Sequence, residues 1–180
     1  VYITDIGYYP KAKYHFRQRT HGIDQHILIY CVEGKGRVQI MGSKYAMAPG
    51  SFVIIPAGCA HNYASDEKDS WTIYWIHFKG SLSKKLVETL KQKLNGYCGT
   101  VQFKQKRVDL FDDMYSCLER GYGNDNLSYA NICLHHFIAS FIYNDKFNLS
   151  EKTEASDPVE LSINFMQQHI SQLLSPEEIA

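Results

Sequence analysis

The chain lacks an excess of charge of either sign. Nineteen Lys and Arg balance nineteen Asp and Glu, a formal net charge of zero over 180 residues. That argues against a broadly basic nucleic-acid surface or a strongly cationic membrane patch on this segment. No apolar run approaches the roughly 20 residues a spanning helix needs, and no signal-peptide pattern is present. The five cysteines, Cys31, Cys59, Cys98, Cys117 and Cys133, include no C-x-x-C pair. An odd number of thiols, several inside runs such as "LIYCVEG" and "ANICLHHF", reads as reduced, mostly buried side chains of a cytosolic protein. A disulfide framework or zinc cluster is not indicated. There is no G-x-S-x-G elbow and no cysteine beside a convincing base, so nucleophilic catalysis has no candidate.

What the chain does have is aromatic surface, thirteen Tyr and two Trp. Rings with polar tips suit ligand pockets, although many simply fill cores. The first 80 residues carry β patterns. "HILIYCVEG" is a continuous apolar run rich in β-branched and aromatic residues, stopped by Glu-Gly-Lys-Gly. "RVQIMG" and "KYAMAPG" alternate, and "SFVIIP" is a buried-type strand ended by Pro56 and Gly58. On "WTIYWIHF", alternation puts Trp71, Ile73, Trp75 and His77 on one face and Thr72, Tyr74, Ile76 and Phe78 on the other. Both faces are apolar, so one is expected to line a barrel interior and the other to meet helices. Short strands with glycine-bearing turns point to a sandwich or barrel.

From Ser81 the period changes. Leu82, Leu86, Leu90 and Leu94 predict an amphipathic helix ended by Asn95-Gly96. A second helix is expected over Val108–Arg120 and a third over Leu127–Tyr143. The third is apolar nearly all round and needs cover on both sides, from the barrel and from either its own chain or a second subunit. His135 and His136 point about 100° apart on it and cannot chelate one ion. "SEKTEAS" reads as a linker. "DPVE" and "SPEE" each supply an N-cap, a proline at the first helical position and a glutamate two residues on. The second begins four residues before the last, Ala180. The reading is of a chain truncated at its end and trimmed before Val1.

"GSFVIIPAGCAHNY" contains G-x5-P-x-G-x2-H, ending in His61, a turn also found at the metal site of small β-barrel enzymes. Their partner motif, H-x-H-x3–4-E-x6-G, aligned on Gly34, places Ile27 at the carboxylate and His21 and Ile23 at the histidines. Isoleucine offers no lone pair, and divalent catalytic sites use three protein ligands or more. His61 is therefore read as a pocket or turn-packing residue, and no metal or cofactor is expected. Trp75 with His77 is the ligand-like face of its strand, and Tyr63 shares the face of His61. Arg17 and Arg19 precede the first long strand. An arginine entering a barrel mouth holds hydroxyls or a carboxylate through several donors at once.

Together, "GIDQHILIYCVEGKGRVQIMGSKYAMAPGSFVIIPAGCAHNY" and "WTIYWIHFKG" closely resemble the effector-binding domain of AraC-type bacterial transcription regulators. The likeness is strong over Arg17–Gly80 and looser over Val108–Asn144. It implies a mainly β plus α fold, a cupin-type jelly-roll barrel followed by a helical dimerisation segment. The expected layout is residues 1–80 for the barrel with an amino-terminal arm and 81–149 for the helical dimerisation segment. A linker at 150–156 then leads to the start of a truncated helix-turn-helix DNA-binding domain at 157–180. The resemblance implies that an effector, a sugar or related metabolite, stacks on Trp75 and is held by Arg19 and Tyr63, with His61 and His77 nearby. A pocket histidine two residues before the tryptophan becomes Ile73 here, which argues against arabinose itself. The arm "VYITDIGYYPKAKYHF" cannot be matched residue by residue. Leu134, Phe137 and Phe141 are the expected contact of a homodimer, and DNA is reached only through the missing carboxy-terminal domain. A cytoplasmic regulator with no membrane contact follows. The alternative is a metal-dependent cupin isomerase or dioxygenase using His61, His21 and His26.

Overall fold

The computed structural model describes residues 1–148. Residues 1–142 form one compact unit, and a second unit begins at Tyr143. The linker expected at 150–156 and the helix starts expected within 157–180 lie outside the described residues.

Eight strands come first: β1 (Tyr2–Tyr9), β2 (Phe16–Arg19), β3 (His26–Glu33), β4 (Gly36–Ile40), β5 (Ser43–Met47), β6 (Ser51–Ile55), β7 (His61–Ser65) and β8 (Thr72–Lys79). Then follow α1 (Ser83–Leu94), β9 (Cys98–Thr100), α2 (Gln105–Glu119) and α3 (Asn124–Ile142). One sheet has the order β1-β8-β3-β6-β9 and the other β2-β7-β4-β5. Every neighbouring pair is antiparallel. The orders 1-8-3-6 and 2-7-4-5 are those of an eight-stranded jelly roll. β9, a short strand within the expected helical segment, extends the larger sheet at β6.

The central strands β3 and β8 are apolar on both faces because both faces are covered. Ile27, Ile29, Cys31 and Ile73 join Val53 and Ile55 in a core between the two sheets. Leu28, Tyr30, Ile76 and Phe78 point the other way and pack with Phe111, Met114, Leu134 and Phe137 of the helices. The face assignment predicted for "WTIYWIHF" is what forms.

The helices start and stop close to where the pattern puts them. α1 ends at Asn95, whose φ of 49° is the left-handed capping conformation, its N–H bonding back to Gln92 and Lys91 carbonyls. Leu82 stands outside the helix as an exposed N-cap, and Val87 with Leu90 forms the buried stripe instead. The cysteines are free thiols, but only Cys31 is buried, whereas the other four are half-buried.

The expected dimer contact requires correction. Leu134, Phe137 and Phe141 are 0%, 1% and 4% exposed inside this chain. Phe141 packs on Tyr30 and Phe52 at ring separations of 5.4 and 4.8 Å, and Phe137 packs on Phe111 at 6.0 Å. The barrel's outer sheet covers this helix as expected, and α2 supplies cover that a twofold partner was expected to provide. Buried Arg107 completes this layer, donating to the Ser140 hydroxyl and carbonyl and to the Gln102 carbonyl. Its guanidinium lies 5.0 Å from the Phe141 ring centre.

Truncating Phe137 to Ala should therefore cost about 3–5 kcal/mol of monomer stability. Urea unfolding at several protein concentrations measures it, and the loss is expected not to depend on concentration.

Candidate ligand-binding site

The smaller sheet ends in β2 and the larger in β1, and a cavity of about 90 Å³ opens where these two edges meet. Ile27, Ile29 and Ile73 form its apolar floor. The segment expected to be a free arm is in fact a strand of the jelly roll. β1 pairs with β8 along its length, Gly7 opposite Trp75 and Tyr9 opposite Ile73.

A β-bulge decides which side chains β1 turns inward. Ile3 lies opposite Phe78, but Asp5 lies opposite His77, so Thr4 is the extra residue. Without it, Asp5 would face the helices with Ile76. The N–H of Ile3 donates to Asn131 Oδ1 of α3 at 2.9 Å, which fixes the bulge from outside. Beyond the bulge, Asp5, Gly7 and Tyr9 face the barrel, while Ile6 and Tyr8 face outward and Tyr8 stacks on Tyr74 at 4.7 Å. Gly7 is required by close approach. A Cβ there would collide with the six-membered ring of Trp75, so the indole uses the space a side chain would take. Tyr9 tilts against the same indole at 5.5 Å.

The opposite wall comes from β2 and β7. Register pairs Arg17 with Tyr63 and Arg19 with His61, so both guanidiniums enter on the face of those rings. The turn before β7 needs Gly58 at φ 75°, and its N–H donates to the Ile23 carbonyl at 2.8 Å. His61 Nδ1 lies 2.8 Å from the Cys59 carbonyl, which can only accept, so the proton sits on Nδ1. That leaves Nε2 as an acceptor 3.5 Å from the Arg19 guanidinium. The His61 ring stacks on Tyr63 at 6.0 Å and an interplanar angle of 10°.

The imidazoles around the cavity are held neutral. Burial lowers His15, helped by the charge of Arg17, and burial lowers His61 with a smaller contribution from Arg19. His77 is pushed down to about 4, first by burial and then by the Arg19 and His61 charges. Its Nδ1 donates to Gln25 Oε1 at 2.9 Å, leaving Nε2 as an acceptor. Burial raises the Tyr63 hydroxyl, against the pull of Arg19 and Arg17. Two polar atoms of the lining, His15 Nδ1 and Trp75 Nε1, are buried without a hydrogen-bond partner, an uncommon condition in a folded protein.

Of the residues singled out from sequence, Arg19, Tyr63, Trp75 and His77 line this one cavity. His61 does not: it stands behind the wall, between Arg19 and Tyr63, and borders a separate outer cleft with Gln39 and Asn62. Asp5, Tyr9 and His15 were not singled out. The signal for Asp5 and Tyr9 was the alternation of "TDIGYY", hidden because one face there reads Asp-Gly-Tyr and carries no apolar stripe, and His15 lies in a loop with no period. His15 brings a second imidazole to the lining from the β1–β2 loop, in addition to His77 of β8, whereas Ile73 supplies none at its position. The three histidines of the metal alternative are engaged separately. His26 Nδ1 accepts from the Ala57 N–H at 3.0 Å, and exposed His21 meets the Thr20 hydroxyl. Among the described residues, no group of three or more His, Cys, Asp or Glu is placed to hold a metal ion.

Residues 6–130 match the model of the AraC-like ligand binding domain. The chain belongs to this family. Over 84 residues, 44% of the chain, it is 37% identical to the MmsAB operon regulatory protein of Pseudomonas aeruginosa, covering 27% of that protein. Over 146 residues, 78% of the chain, it is 23% identical to the Msm operon regulatory protein of Streptococcus mutans, covering 50% of it. The chain thus spans half or less of the length of these curated relatives. Among solved structures it is similar to apo ToxT from Vibrio cholerae, 15% identical with a TM-score of 0.46, covering 97% of this chain and 68% of that one. The cupin domain of Cnp3 from Schizosaccharomyces pombe is 19% identical with a TM-score of 0.32, covering 41% and 52% of the two chains. The cavity therefore lies in the effector-binding domain of an AraC-type regulator. Among the described residues, no helix is long and apolar enough to cross a membrane.

The depressed His77 gives this AraC-type domain a pH dependence. Its folded pKa, about 4, lies below the ordinary 6.5, so between these values the unfolded chain binds the proton and the folded one does not. Stability is then lost as pH falls from 6.5 towards 4, by about 3 kcal/mol at about 1.4 kcal/mol per unit. In chemical unfolding across this range, His77→Gln is expected to flatten the slope without abolishing it, because His15, His26 and His61 are lowered in the same direction.

Proposed function

We propose that this domain senses a sugar or a related small hydroxylated metabolite, and that it signals the ligand's presence to transcription without chemically altering it. The observation that carries the reading is the convergence of Arg19, Tyr63, Trp75 and His77 on one cavity. The ligand's C–H face stacks on the Trp75 ring, Arg19 and Tyr63 fix its hydroxyls, and His77 Nε2 accepts from another. His61 acts one layer back, keeping Arg19 and Tyr63 in place through its stacked ring and its Nε2. The names of the two curated relatives, both operon regulatory proteins, support a regulatory role. The working protein is cytoplasmic, and specific DNA contact is assigned to a helix-turn-helix region outside the described residues.

Regulation is proposed to run through a homodimer built on the outer face of α3. With Leu134, Phe137 and Phe141 inside the chain, that face presents Tyr129 and Ile132, which are 49% and 72% exposed. They are three residues apart and so share one stripe. Asn131, beside Ile132, holds the bulge that turns Asp5 into the cavity. A ligand that orders β1 thereby favours one setting of α3, and it shifts the dimer only by as much as it binds that setting better.

Thermal-shift screening against sugars and sugar acids tests the first part. A binding member should raise the melting temperature of the native protein and lose most of that effect with Trp75→Ala or Arg19→Ala. A panel with no stabilising member would overturn the sensing role. For the second part, sedimentation velocity should show a dimer that Ile132→Asp converts to monomer with unchanged circular dichroism, and a wild-type monomer at all concentrations would overturn it.

A further inference from the structure

The cavity wall carries more positive charge than its own residues neutralise. Arg17 and Arg19 lie two residues apart on one face of β2, and neither forms an ion pair. The ion pairs Lys35–Asp69 and Lys79–Asp24 lie at the surface and involve neither arginine. The Arg19 guanidinium meets His61 Nε2 at 3.5 Å and the Tyr63 hydroxyl, neither of them an anion. A single carboxylate, Asp5, stands on the β1 wall, where its Oδ1 accepts from the Ile6 N–H at 3.0 Å. Two guanidiniums thus face one carboxylate. The Trp75 N–H is a further buried donor without a partner. A neutral polyol would offer the two guanidiniums no anion, leaving Asp5 as the one carboxylate in the lining. A planar carboxylate, in contrast, matches the forked donors of arginine two bonds at a time.

We infer that the effector is a hydroxylated monocarboxylate, its carboxylate bridging Arg17 and Arg19, its hydroxyls reaching Asp5 and His77, and its carbon skeleton lying on Trp75. This rests on the cavity being the effector site. Arg17 becomes the residue that selects acids over neutral sugars. Asp5 rejects a second anionic group, because it would face that group at the opposite wall.

Isothermal titration of the native chain with matched pairs tests the assignment: glucuronate with glucose, galacturonate with galactose, gluconate with sorbitol, lactate with 1,2-propanediol, and glucose 6-phosphate in addition. In at least one pair the acid should bind roughly tenfold or more tightly than its neutral partner, as expected for charge-assisted hydrogen bonds. Arg17→Gln should remove that advantage and leave the melting temperature of the free protein unchanged, since Arg17 is exposed. Arg17→Lys, which keeps the charge but not the fork, should retain only part of it. A neutral member binding as tightly as its acid, binding by the phosphate alone, or full acid affinity in Arg17→Gln would overturn the carboxylate assignment and leave the effector site standing. A panel in which nothing binds would overturn both.

Discussion

The pairing of β3 with β8 is the constraint on which the rest of the molecule depends. Seven residue pairs join the two strands, from His26 opposite Phe78 to Glu33 opposite Thr72. Because alternate side chains of a strand point to opposite faces, this one ladder builds two cores at once. Its inner face supplies the isoleucine floor of the cavity and the indole of Trp75. Its outer face supplies Leu28, Tyr30, Ile76 and Phe78, against which the helices pack. A shift of register by one residue would exchange the two sets, placing His77 and Trp75 under the helices and leaving the cavity without its ring. Site and helical layer are therefore consequences of the same hydrogen-bond register.

The cavity uses what is usually a liability of a sheet, its edges. β1 and β2 are edge strands of different sheets, consecutive in sequence and joined by the short loop that carries His15. The bulge at Thr4 and the absence of a side chain at Gly7 make room for Asp5 and for the indole, and Asn131 anchors this wall to α3. One hydrogen bond thus connects a wall of the pocket to the helix whose outer face is free for a partner.

The G-x5-P-x-G-x2-H turn resembles in sequence that of metal-binding barrels, but its histidine is engaged within the protein. Gly58 takes the positive φ of the turn and its N–H donates to the Ile23 carbonyl, and His61 follows the loop. Its neighbours across the barrel include Ile27 in place of a carboxylate, and its Nδ1 proton is committed to the Cys59 carbonyl. What remains is an imidazole that orients Arg19 and stacks on Tyr63.

Legible in the residues alone were the five strands β3, β4, β5, β6 and β8, the two faces of β8, the stop of α1 at Asn95 and the candidates Arg19, Tyr63, Trp75 and His77. Each is a local matter of periodicity, of a left-handed residue or of a short motif. Tertiary structure alone decided three others. It made Tyr2–Tyr9 a strand of the barrel, because its inward face is polar and its place depends on pairing with β8, some 70 residues away. It drew Cys98–Thr100 into the sheet, a stretch too short to carry a period. And it put Leu134, Phe137 and Phe141 inside the chain. A helix apolar nearly all round declares that it will be covered, but hydrophobicity has no direction, and only packing against Tyr30, Phe52 and Phe111 says which side its own chain takes.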